Sequence, residues 1–61
     1  MRARVFRSDF GDKVVEDIAK LLGKPVKRIG IRDNIVQINQ ASREEDKAFL
    51  KGAGIEIEWL L

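Results

Sequence analysis

The chain has 61 residues, with 12 basic and 10 acidic side chains and neither cysteine nor histidine. A chain this short is one domain, residues 1–61, and buries only about 60% of the surface its unfolded form exposes. Disulfide staples and zinc sites built on Cys and His are excluded, and no apolar run approaches the roughly 18 residues of a membrane-spanning helix.

Arg2 to Arg7 alternates, with Ala3 and Val5 on one side and Arg2, Arg4 and Phe6 on the other, and reads as a first strand. The basic residues of this start have no apolar segment behind them, so it is not expected to be a signal peptide. Ser8 or Asp9 can then cap a helix from about Phe10 to Leu22, in which Phe10, Val14, Ile18, Leu21 and Leu22 follow helical spacing beside Val15. Lys13–Asp17 and Glu16–Lys20 are i,i+4 charge pairs on its polar side. Gly23 suits a left-handed C-cap, and Pro25 stops the helix.

Two strands follow, Val26–Arg32 and Asn34–Asn39, around Asp33-Asn34, two residues that tolerate the positive φ of a tight hairpin turn. With those two as the loop, Ile29 faces Ile38 and Ile31 faces Val36, all apolar and all on one face. Arg28, Gly30, Arg32, Ile35, Gln37 and Asn39 share the other. A one-residue slip would reverse every side chain, so this pattern predicts the register.

Ser42 and Glu45 have the spacing of a capping box, and Glu44, Glu45 and Asp46 place negative charge in a first helical turn. The helix predicted there, about Arg43–Lys51, buries Ala48, Phe49 and Leu50 and ends at Gly52. Ile55–Leu61 alternates as a last strand, with Ile55, Ile57, Trp59 and Leu61 on one face. The predicted core is Val5, Val14, Ile18, Leu21, Ile29, Ile31, Val36, Ile38, Phe49, Ile55 and Ile57.

The order β-α-β-β-α-β resembles the ferredoxin-like fold. It implies an α+β domain with a four-stranded antiparallel sheet, order 4-1-3-2, and two helices on one face. That fold hosts many unrelated functions, so the side chains must supply the rest.

They offer catalysis little. The chain lacks His, Cys, Tyr and Thr, and its only hydroxyls, Ser8 and Ser42, stand where helix capping explains them. Its acidic residues cluster in first helical turns, and its glycines match neither phosphate-loop nor dinucleotide spacing. A non-enzymatic protein is expected, without cofactor and with no catalytic or metal-binding residue. The lack of cysteine fits a cytoplasmic location, and no membrane partner is expected.

The sheet face turned away from the helices is the plausible functional surface. Phe6, Ile35, Gln37 and Leu60 on it point to a protein contact, most simply a homodimer, with an edge strand as the other route. Charge suggests a second reading. Residues 1–32 carry nine Lys/Arg and four Asp/Glu, a balance of +5, while residues 33–61 carry three and six, a balance of −3. Arg2, Arg4, Lys27, Arg28 and Arg32 form a basic strip that could meet nucleic acid, although the stacking aromatics of an RNA-recognition sheet are absent. The same asymmetry also describes two complementary halves packing together. A third reading is a designed mini-protein without biological function, which orderly caps would suit.

Overall fold

A computed structural model describes residues Met1–Leu61. The elements are β1 (Arg2–Val5), α1 (Asp12–Leu22), β2 (Val26–Ile29), β3 (Ile35–Ile38), α2 (Arg43–Gly52) and β4 (Ile57–Leu60). The four strands form one antiparallel sheet in the order β2-β3-β1-β4, the ferredoxin-like arrangement. The helices pack on the sheet and on each other, α1 over β2 and α2 over β4.

The central strand keeps its predicted alternation, with Ala3 and Val5 buried and Arg2 and Arg4 exposed. The first helix starts later than its apolar spacing suggests. Asp9 is held by Arg7, which donates from Nε and Nη2 at 2.8 and 2.7 Å, so it does not cap. Gly11 is the N-cap instead, and Phe10 lies just outside the helix. Gly23 closes the far end with φ at 65°, its amide donating to the Ala19 carbonyl at 2.9 Å.

The β2–β3 pairing corrects the expected hairpin. Val26 faces Ile38, Lys27 faces Gln37, Arg28 faces Val36 and Ile29 faces Ile35. Ile29 is thus opposite residue 35 rather than 38, a shift of three, and residues 30–34 replace the two-residue turn. An odd shift exchanges the faces: Val26 and Arg28 turn toward the helices, Lys27 and Ile29 away.

Two constraints explain the shift. Gln40 takes a left-handed φ of 55° and ends β3, whereas the expected register would place Val26 opposite Ala41, beyond that end. Sliding by three gives every residue of β2 a partner. Asn34, meanwhile, is committed to β1. Its carbonyl accepts from the Val5 amide at 2.7 Å, and its side-chain Nδ2 donates to the Arg7 carbonyl at 3.0 Å. It extends the β1–β3 ladder and cannot serve as a turn residue. Gly30, with φ at 78°, supplies the left-handed step that ends β2.

The buried core is Ala3, Val5, Val14, Val15, Ile18, Val36, Ile38, Leu50, Ile55 and Ile57. Four expected members are not in it. Leu21 and Phe49 lie at the outer surface of the helix pair, Ile31 is 88% exposed in the 30–34 connection, and Ile29 is half-buried on the opposite face of the sheet. Ala48 is exposed as well. Ile31→Ala should therefore shift the unfolding free energy by less than about 0.5 kcal/mol, as surface substitutions do. Urea titration checks this, and a loss of about 2 kcal/mol or more would restore Ile31 to the core.

Candidate functional site

The face of the sheet not covered by helices carries two complete rows of side chains. Reading from β2 to β4, one row is Lys27, Gln37, Arg2 and Leu60, and the next is Ile29, Ile35, Arg4 and Glu58. Phe6 and Glu56 continue the pattern beyond the second row, joined by the Phe6 amide donating to the Glu56 carbonyl at 2.9 Å. Phe6, Ile35, Gln37 and Leu60 thus fall on one surface. Phe6 is 49% exposed and the others are half-buried.

Sequence reasoning missed Ile29, which the three-residue shift brings onto this face directly beside Ile35. Four large apolar side chains, Phe6, Ile29, Ile35 and Leu60, therefore share one uncovered surface. Cross-strand pairs of β-branched residues pack well on a pleated sheet, so Ile29 and Ile35 form a single ridge.

The basic strip comes apart. Arg2, Arg4 and Lys27 are on the face, but Arg28 is not. Its side chain turns to the helix side, donating to Asp12 Oδ1 at 3.3 Å and to the Ile31 carbonyl at 2.9 Å, with its guanidinium 5.1 Å from the centre of the Phe10 ring. It seals the α1 edge of the core, and the cation–π contact helps offset a buried Nε that has no acceptor. Arg32 is exposed in the 30–34 connection and belongs to neither row. Arg4 lies 3.9 Å from Glu58 with both side chains about half exposed, a weak pair. Arg2 Nε reaches Gln37 Oε1 at 3.4 Å. Across the sheet, charge runs from Lys27 on β2, through neutral β3 and basic β1, to Glu56 and Glu58 at β4.

A second feature lies on the helix side. Leu21, Leu22 and Phe49 line an open cleft of about 400 Å³ between the helices, with Lys24, Ser42 and Asp46 at its base. Lys24 Nζ donates to both carboxylate oxygens of Asp46, at 3.1 and 2.9 Å, and to Ser42 Oγ at 3.3 Å. The Ser42 amide donates to Asp46 Oδ2 at 2.9 Å. Asp46, not Glu45, thus closes back onto the helix start, and the Ser42 hydroxyl accepts from Lys24 instead of a helix amide. Burial raises the Asp46 pKa, but the bonds from Lys24 and the Ser42 amide outweigh it, and the carboxyl sits below its ordinary value. All three ammonium donors of Lys24 are used. Both oxygens of Asp46 are thus engaged, by Lys24 and by the Ser42 amide.

Comparisons with protein-family models, curated proteins and solved structures find no match to this chain. No helix is long and apolar enough to cross a membrane.

Proposed function

We propose that this chain is a small, non-enzymatic protein-interaction domain that pairs with a second copy of itself through the open face of the sheet. The observation that carries the reading is the ridge of Ile29 and Ile35 between Phe6 and Leu60, four apolar side chains with no helix over them.

Magnitudes set the strength of such a contact. Full burial of a Leu, Ile or Phe side chain is worth about 1.5–3 kcal/mol, and roughly half of that is already gained within the sheet, leaving about 1 kcal/mol each. A symmetric contact buries each of the four twice, for about 8 kcal/mol in all. Association opposes this by at least about 4 kcal/mol. The remainder, at most about 4 kcal/mol, corresponds to a dissociation constant no tighter than about 1 mM before polar contacts add to it. The dimer is a weak one that forms at high protein concentration.

Sedimentation equilibrium tests the reading. The mass should rise from the 7.0 kDa of the monomer toward twice that value as concentration approaches the millimolar range. Phe6→Glu should keep the fold, because Phe6 is half exposed, and should remain monomeric throughout. A wild-type chain that stays monomeric at several millimolar ends the proposal, and a Phe6→Glu variant that dimerises normally moves the contact off this face. Salt-sensitive binding of single-stranded oligonucleotide that competes with dimerisation would instead assign Arg2, Arg4 and Lys27 to nucleic acid.

A further inference from the structure

We infer that the two copies meet about a two-fold axis parallel to the strands, with the Lys27 edge of one sheet over the Glu56–Glu58 edge of the other. The inference rests on the dimer reading and specifies its geometry.

Two sheets meeting face to face can be related by a two-fold axis lying between them in either of two directions. An axis perpendicular to the strands lays each strand over its own copy. With the axis through the second row, Arg4 lies against the partner's Arg4 and Glu58 against the partner's Glu58; with the axis between the first two rows, Arg2 lies against the partner's Arg4. Like charges are concentrated in the two columns that carry most of the charge. An axis parallel to the strands exchanges the columns instead: β2 lies over the partner's β4, and β3 over the partner's β1. This follows directly from the order β2-β3-β1-β4, whose centre falls between β3 and β1.

The second arrangement matches the side chains row by row. Gln37 faces the partner's Arg2, and its amide oxygen can accept from the guanidinium. Ile35 faces the partner's Arg4, and Ile29 the partner's Glu58, so the apolar ridge rests on the aliphatic stems of charged residues. Lys27 faces the partner's Leu60 and stands one row from the partner's Glu58. That offset is about 7 Å along the strand, within reach of the flexible four-carbon stem of lysine. Lys27 and Glu56 make no ion pair within the chain, and the Arg4–Glu58 contact is long and solvated, so these charges are available. Aligned packing is also a usual way for two twisted sheets to stack.

The area fits a weak contact. The molecule measures 27 × 22 × 18 Å and exposes 4179 Å². Four strands of four residues make a face of roughly 19 × 13 Å, which suits a weak contact at the low end of interface sizes.

A charge-exchange experiment tests the orientation. Lys27→Glu places acid over acid, and Glu58→Lys places base over base, in each case at both symmetry-related contacts. Either variant alone should dimerise about tenfold more weakly than wild type. Both positions are exposed, and circular dichroism confirms that the variants are folded. Mixed in equal amounts, the two variants present opposite charges at both contacts, and the dimer mass should return as a heterodimer. If wild type dimerises but the mixture stays monomeric, or if either single variant dimerises as wild type does, the orientation is wrong while the face contact stands. A monomeric wild type removes both.

Discussion

Leu50→Ala should destabilise the domain by about 2–5 kcal/mol, while Phe49→Ala, one residue earlier, should cost about 1 kcal/mol or less. Leu50 has no solvent exposure and packs in the single core, whereas Phe49 is 54% exposed on the rim of the helix cleft. At roughly 0.05–0.15 kcal/mol per residue, the whole chain has about 3–9 kcal/mol of stability, so the Leu50 loss alone can unfold it. Leu50 also anchors the end of its helix through its backbone. Its carbonyl accepts from the amides of Ala53 at 3.0 Å and Ile55 at 2.8 Å, which sets the path into β4. Urea denaturation followed by Trp59 fluorescence measures the difference, because the Trp59 indole donates to the Arg43 carbonyl of the same helix at 2.8 Å. The titrations belong at low micromolar protein, where the proposed self-association would add no stability. Equal losses for the two variants would mean that α2 presents a different face to the core.

The contrast between Phe49 and Leu50 shows where the sequence stops being legible. Two adjacent apolar residues on a short helix differ by about 100° in direction, and hydrophobicity alone favours the larger. The face is decided by Asp46, which lies one turn before Leu50, is itself buried, and is held by Lys24. A buried carboxylate runs against the hydropathy pattern, and its partner is 22 residues away in the chain, so no local signal marks the pair. The hairpin register failed for a related reason. Val26, Ile29 and Ile31 fall on both parities of the predicted strand Val26–Arg32, so alternation supports more than one register. The choice is made by Gln40 and Asn34 outside the strand. Where the pattern is single-valued it holds: β1 alternates as read, Ile55 and Ile57 are buried as read although β4 spans only Ile57–Leu60 and Leu61 is exposed, the strand order follows from the element order, and the i,i+4 pairs Lys13–Asp17 and Glu16–Lys20 form at 3.6 and 3.0 Å. The open face was legible from those strands. Ile29 on it, and Arg28 off it, depended on the register and were not.

Removing the Asp46 carboxylate should be the other large loss. Asp46→Ala leaves the Lys24 ammonium and the Ser42 amide without their acceptor at the base of the cleft. The Lys24 side chain is 20% exposed and that of Asp46 8%, so the cost falls between the ~1 kcal/mol of a surface pair and the ~3–5 kcal/mol of breaking a fully buried one. About 2–3 kcal/mol is expected. The pair should also give the domain an acid-sensitive component. The Asp46 carboxyl titrates below its ordinary value of 3.8 when folded. Its contribution is therefore complete above that value and declines as pH falls through the lower folded value, where the native state must take up the proton. Asp9, lowered by Arg7 at the surface, acts in the same direction, so the slope must be compared between wild type and Asp46→Asn rather than read from wild type alone. The variant should lose stability at neutral pH and less of it on going from pH 5 to pH 2. An unchanged acid slope would mean that Asp46 is not held by Lys24 in solution. The double variant Lys24→Met with Asp46→Leu separates the net worth of the pair from the cost of breaking it. Well-packed apolar replacements of a buried ion pair are often neutral or favourable. Recovery of stability in the double variant, with either single substitution remaining costly, would show that the single losses come from an uncompensated partner rather than from net stabilisation by the pair.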